Sequence, residues 1–255
     1  MNGQSDIAIE FAHVDYVVDG RRSLLADLSL SIHRGEVLIL LGRSGSGKTT
    51  TLKLINRLLD PTRGEVRVEG TTTQQWDPIR LRRSIGYAVQ EVGLFPHYTV
   101  EQNVGLIPKA ERWEKQRVAD RVEETLALVG MPHGEFAKRY PHQLSGGQRQ
   151  RVGLARALAA DPPILLMDEP FGALDPLTRA ELQREFSMLR KRLAKTVVFV
   201  THDVSEALLL GDRIALMEDG KCAGVFSREE FLESSDQRVR AYLDIYRLSS
   251  RSLEH

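Results

Sequence analysis

Two stretches near the start of the chain, IAIEFAHVDYVV (residues 7–18) and LADLSLSI (25–32), alternate apolar and polar positions. That is the period of strands with one buried face, and it predicts an antiparallel pair. HRGE (33–36) then turns into VLILL (37–41), which is apolar throughout, as a parallel strand buried on both faces requires. GKTTTLKLINRLL (47–59) shifts to helical spacing, and GEVRVEG (64–70) and SIGYAV (84–89) return to strand.

From Thr99 to Ala160 the spacing is helical. TVEQN opens with a capping-box pair, Thr99 and Gln102. RVADRVEETLALVG (117–130) ends in a glycine stop, and GGQRQRVGLARALAA (146–160) stops before Pro162 and Pro163. Strand and helix alternate again in ILLM (164–167), PLTRAELQREFSMLRKRL (176–193), TVVFV (196–200), VSEALLL (204–210) and RIALM (213–217), followed by a hairpin turn at EDGK (218–221). This alternation predicts an α/β fold with a parallel sheet and helices on its faces. The expected organisation is one domain over residues 1–252. Its core is 1–90 and 162–226, with N-terminal antiparallel strands; 91–161 is an inserted helical subdomain and 227–252 short C-terminal helices. Residues 253–255 read as a tag remnant.

A chain of 255 residues with 42% apolar content can bury a full core. Lys plus Arg and Asp plus Glu both number 35, so a nucleic-acid partner has no electrostatic support. A single cysteine, Cys222, excludes an internal disulfide and fits a reducing compartment. No run reaches the roughly 18 apolar residues of a membrane span. The N-terminus lacks the basic-then-apolar form of a signal peptide, so a cytosolic chain that meets the membrane through a partner is expected.

The chemistry begins at GRSGSGKT, residues 42–49. Gly42, Arg43, Ser44, Gly45, Ser46, Gly47, Lys48 and Thr49 fit G-x-x-x-x-G-K-[ST] between a strand and a helix. The glycines let backbone N–H groups curl around phosphate oxygens. Lys48 reaches the β- and γ-phosphates, and the Thr49 hydroxyl ligates Mg²⁺. ILLMDEP places Asp168 and Glu169 at the carboxyl end of a strand, where an open α/β sheet binds its ligands. Asp168 there serves the Mg²⁺ shell, and Glu169 orients and deprotonates a water aimed at the γ-phosphate. LSGGQ (144–148) sits at the mouth of a helix, whose free N–H groups and dipole suit an anion.

In order and spacing, the loop 42–49, Gln90 in AVQE, LSGGQ, ILLMDEP, ALD and His202 in VTHD resemble the ATP-binding-cassette ATPases, over about Ile7 to Leu248. The resemblance implies a P-loop NTPase (RecA-like) core that binds ATP and Mg²⁺. It also implies that two copies pair head to tail. Ser145, Gly146, Gly147 and Gln148 of one copy would then meet the γ-phosphate held by Lys48 of the other. It casts His202 as the switch histidine and Gln90 as a loop glutamine that senses Mg²⁺ and the attacking water. Asp175 becomes a link between the two sites as well as a helix cap, and Thr50 extends the nucleotide-binding loop. The family often stacks an aromatic on adenine. That place falls on Val18 here, with Tyr16 two residues earlier on the same face of an ideal strand.

The same segments, with INRLLDPTRGEV and LRRSIGYAVQEVGLFPHYTVEQNV, look closest to ATPases of quaternary-amine uptake: glycine betaine, choline or carnitine. The resemblance implies permease subunits docking near residues 91–105, an extracytoplasmic substrate-binding protein, and a peripheral place on the cytoplasmic face of the membrane. Other transport ATPases, for amino acids, sulfur compounds or lipids, are the alternative. A soluble cassette ATPase of DNA repair or translation is opposed by the single cassette and the balanced charge, and a degenerate cassette by intact Lys48, Glu169 and His202.

Overall fold

The computed structural model describes residues 6–89 and 92–251. In chain order the elements are β1 (Ile7–Val18), β2 (Arg22–His33), β3 (Val37–Leu41), α1 (Lys48–Ile55), β4 (Arg63–Val68), β5 (Thr71–Thr72), α2 (Pro78–Ser84) and β6 (Ile85–Ala88). Helices α3 (Val100–Val104), α4 (Leu106–Ala110), α5 (Lys115–Leu128), α6 (His133–Phe136) and α7 (Gly146–Leu158) follow. The chain continues through β7 (Ile164–Asp168), α8 (Pro176–Leu193), β8 (Thr196–Thr201), α9 (Val204–Leu210), β9 (Arg213–Glu218) and β10 (Lys221–Ser227) to α10 (Arg228–Glu233) and α11 (Gln237–Arg251). Contacts divide the chain into two units, one running to Trp76 and resuming at Thr196, the other spanning Asp77–Lys195. Among the described residues no helix is long and apolar enough to cross a membrane.

In the first unit, β1 pairs antiparallel with both β2 and β4, and β4 with β5. The long β1–β2 ribbon is bulged. The register shifts between Phe11 and Val14, where His13 and, on the partner strand, Asp27 have positive φ. Polar bonds fix this kink: Asp27 N–H donates to Asp15 Oδ1 at 2.7 Å, and His13 Nδ1 lies 2.8 Å from Asp27 Oδ1. Gly64 of β4 makes room for it, since a Cβ there would sit 2.2 Å from the His13 carbonyl oxygen. The second sheet of this unit is built on β3, parallel to β8 on one side and β9 on the other, with β10 antiparallel to β9. Every residue of β3 and β8 is buried, which accounts for the unbroken apolar run of β3 and for the apolar Val197–Val200 of β8 between its terminal threonines.

The helix expected over 47–59 ends early, at Ile55. Arg57 has φ 52° and occupies the left-handed position that glycine usually takes, while the Leu58 N–H closes on the Lys53 carbonyl at 2.8 Å. The Arg57 guanidinium is spent on the Trp76 carbonyl (2.8 Å) and Asp60 (3.1 Å), which holds this glycine-free stop in place.

In the second unit, β6 and β7 pair in parallel, and α3, α5 and α7 share a core that includes Val104, Val122, Leu126 and Val152. The expected cap is present: the Gln102 N–H donates to Thr99 Oγ1, and the Thr99 N–H to Gln102 Oε1. The glycine stop of α5 is present too. Gly130 has φ 69°, and the Met131 N–H closes on the Leu126 carbonyl at 2.9 Å. Asn103 is fully buried and anchors the loop ahead of α3. Its amide donates to the carbonyls of Phe95, Tyr98 and Thr99, and its oxygen accepts from the Phe95 N–H at 2.8 Å.

Candidate functional site

Leu41, the last residue of β3, pairs with Thr201 of β8 and Leu216 of β9. The loop Gly42–Gly47 therefore leaves the carboxyl end of the central strand beside His202, which follows β8. At Gly42 an added Cβ would lie 2.4 Å from the Met217 carbonyl oxygen and 2.6 Å from Ser46 Oγ. Gly47 has φ 99° and backs onto the Leu24 carbonyl and the Leu25 side chain, 2.9 and 2.6 Å from where a Cβ would be. Only glycine satisfies both positions. Lys48 opens α1 and is 5% exposed; its Nζ bends back to donate to the Gly42 carbonyl (2.7 Å) and the Arg43 carbonyl (2.9 Å). Ser46 is 6% exposed, and its Oγ is buried with no hydrogen-bond partner. Arg43, Ser44, Gly45 and Thr49 are exposed around the loop, and Thr50 is half-buried.

A tight loop with no room for Cβ atoms, a lysine ammonium folded over it and a buried hydroxyl without a partner fit an anionic phosphate chain. Among the described residues no group of three His, Cys, Asp or Glu side chains could hold a metal alone. Mg²⁺ takes few protein ligands and completes its shell with phosphate and water, so an exposed Thr49 hydroxyl beside a phosphate cradle suits it.

His202 is exposed in a turn made rigid from below. Thr201 Oγ1 donates to Glu206 Oε2 at 2.5 Å and accepts from the Asp203 N–H at 2.9 Å; Asp203 in turn caps α9 through the Ser205 N–H. Tyr16 is half-buried on β1 opposite Leu25, the residue packed against Gly47. A register shift between Tyr16 and Val17 interrupts the two-residue alternation that related Tyr16 to Val18. Gln90 lies outside the described residues.

In the second unit, Asp168 ends β7 and is 9% exposed. The Tyr87 hydroxyl, on the neighbouring strand β6, is 3.5 Å from Asp168 Oδ2. Burial, reinforced by the Asp168 charge, pushes the Tyr87 phenol well above its ordinary pKa. Glu169 follows at φ 43°, a left-handed conformation that turns the chain out of the strand. It is half-buried.

Ser145 is the N-cap of α7 and forms a capping box with Gln148. The Gln148 N–H donates to Ser145 Oγ at 3.2 Å, and the Ser145 N–H to Gln148 Oε1 at 2.9 Å. Ser145 and Gly146 are exposed, whereas Gly147 is buried, because a Cβ there would lie 2.6 Å from Thr178 Cγ2 on α8. Asp175 caps α8 through the Thr178 N–H at 3.0 Å, and that bond holds its carboxyl below the usual carboxylate range.

Sequence reasoning brought out neither Tyr87 nor the Thr201–Glu206 pair. The available signals were weak: a polar ring in the strand beside Asp168, and an acidic residue in the apolar run VSEALLL. Gly147 was read only as a ligand contact, and the structure adds that α8 requires it to be small.

A family profile described as "ABC transporter" matches residues 25–172. The chain is 46% identical over 241 residues to the choline transport ATP-binding protein OpuBA of Bacillus subtilis, covering 94% of this chain and 63% of that protein. It is 50% identical over 213 residues to the glycine betaine uptake system ATP-binding protein YehX of Escherichia coli, covering 84% and 68%. Among solved structures, the dimeric MJ0796, described as a bacterial ABC transporter cassette, matches with a TM-score of 0.77 and 36% identity, over 86% of this chain and 98% of that one.

Proposed function

The chain belongs to the ABC transporter family, and from that premise we propose that it is the ATP-hydrolysing subunit of an importer for a small quaternary amine such as glycine betaine, choline or carnitine. The observation that carries the reading is the loop 42–49, with its two Cβ-intolerant glycines, its folded-back Lys48 and its unpartnered Ser46 hydroxyl. The cargo class rests on the printed names of the relatives.

In this reading, Lys48 and the N–H groups of residues 43–50 hold the phosphates of ATP, with Tyr16 toward the adenine. Thr49, Asp168 and Gln90 hold Mg²⁺, which when bound neutralises phosphate charge. Glu169 takes the proton of the attacking water, and His202 contacts the γ-phosphate. A second copy, facing the opposite way, supplies Ser145, Gly146, Gly147 and Gln148. Ser145 already accepts the Gln148 N–H, so its own hydroxyl proton is the one offered to phosphate. Asp175 links the paired sites. Permease subunits dock near residues 91–105, a segment that the buried Asn103 amide shapes from Phe95 to Thr99. An extracytoplasmic binding protein completes the system, and the chain sits peripherally on the cytoplasmic face through the permease. The organisation proposed with it is the α/β core of 1–90 and 162–226, the helical arm 91–161 and the C-terminal helices 227–252.

Nucleotide binding and Mg-ATP hydrolysis by the purified chain test this reading. Lys48→Ala should lose both. Ser145→Arg should bind ATP as the parent does and hydrolyse it at least about 100-fold more slowly, since an oxyanion contact is removed and a cation is forced into its place. Loss of ATP binding by Ser145→Arg would assign the stretch to folding instead. Uptake of labelled choline or glycine betaine with the permease and binding protein tests the cargo, and transport of neither would overturn it.

A further inference from the structure

Glu206 is a carboxylate on an apolar helix, 5% exposed, and none of the roles above uses it. Burying a carboxylate is costly unless it is well bonded. Its partner is specific: the hydroxyl of Thr201, itself 2% exposed, donates to Glu206 Oε2 at 2.5 Å. That donation fixes the rotation of the hydroxyl, so a lone pair of Thr201 Oγ1 faces the Asp203 N–H, which donates to it at 2.9 Å. The chain Glu206–Thr201–Asp203 therefore closes around one residue, His202, from both sides in sequence. Asp203 Oδ1 then accepts from the Ser205 N–H at 2.7 Å, locking the other end of the turn to α9. His202 is exposed at the top of this bracket, and Thr201 is in register with Leu41, the residue from which the cradle departs. A histidine on an unbraced two-residue turn samples many directions; a satisfied buried network below it removes that freedom.

We infer that Thr201 and Glu206 are positioning residues for His202, holding its imidazole toward the γ-phosphate end of the nucleotide cradle without touching nucleotide themselves. The inference rests on the reading of His202 as the γ-phosphate contact.

A set of four single variants in the full chain tests it, each read by nucleotide affinity, KM and kcat for Mg-ATP, and melting temperature. Thr201→Val keeps the shape of the side chain and removes only the hydroxyl. It should lower kcat about tenfold or more, while ATP affinity and KM stay within about twofold of the parent. Thr201→Ser keeps the hydroxyl and should restore kcat, a rescue that a purely packing role of the Thr methyl would not show. Glu206→Gln keeps an acceptor oxygen and the side-chain volume but not the charge, so it should fall between the two; it is also the decisive variant if Thr201→Val fails to fold. His202→Ala separates the premises. Parent-level turnover there would overturn the role of His202. An inactive His202→Ala alongside parent-level kcat in both Thr201→Val and Glu206→Gln would overturn the positioning role alone. Equal losses of affinity and kcat in the folded variants would also overturn it, assigning the pair to general stability.

Discussion

Gly147 shows how much one missing methyl group decides. An alanine Cβ would press to 2.6 Å of Thr178 Cγ2, and threonine, branched at Cβ, cannot swing that methyl away freely. Gly147→Ala should destabilise the chain by about 1–3 kcal/mol, as overpacking does. Thr178→Ser in the same chain removes the offending methyl and keeps the hydroxyl, and should recover most of the loss in a denaturant titration. Failure of that rescue would place the constraint on the helix start rather than on the contact with α8. Tyr87 gives a prediction in pH. Its folded pKa is raised above the ordinary 10.0 by burial and by Asp168, so the stability it contributes is complete below pH 10 and is lost as pH rises beyond it. Tyr87→Phe should flatten the fall in stability measured above pH 10 and leave neutral behaviour nearly unchanged. A parent and variant with the same alkaline slope would contradict this.

At the level of elements, Asn103 does for the segment 95–99 what regular secondary structure does elsewhere. One buried amide meets three carbonyls and one N–H. The Phe95 and Thr99 carbonyls keep the Tyr98 and Asn103 backbone N–H groups, so Asn103→Leu takes the amide's bonds from the Phe95 N–H and the Tyr98 carbonyl and should cost about 1–4 kcal/mol, at ~1–3 kcal/mol for each group left unsatisfied and with partial relaxation. Limited proteolysis should then cut first near Phe95–Tyr98. An unchanged melting temperature would contradict it. The strands β1, β3, β7 and β8 and the helices α7 and α8 were legible because their burial is periodic or complete over many residues, and because caps such as Ser145–Gln148 and Asp175 bracket them. Helix α2 was not legible. It is seven residues long with Leu81 its one buried residue and Ile79 exposed, so no period could form, although Asp77 and Pro78 mark its start. The early stop of α1 was hidden for a different reason. Leu58 and Leu59 continue the helical spacing, and what ends the helix is a left-handed Arg57 held by the distant Trp76 carbonyl. Likewise the glycine loop could be read by pattern, whereas the orphaned Ser46 hydroxyl and the Thr201–Glu206 bracket depend on contacts made only after folding.

For the whole molecule, each copy carries one phosphate cradle at the end of β3 and one glycine-rich helix start at α7. The proposed head-to-tail dimer would give both a use: the Ser145 turn of each copy would complete the site of the other, with Mg-ATP offsetting the repulsion between the acidic residues brought near each other. Glu169→Gln removes the proposed proton acceptor and should leave nucleotide binding intact, so the closed pair should accumulate. Light scattering of Glu169→Gln is therefore decisive. The mass should be that of a monomer without nucleotide, of a dimer with Mg-ATP, and of a monomer again when Ser145→Arg is added, with ATP still bound. A Glu169→Gln chain that binds Mg-ATP and stays monomeric would contradict the composite site.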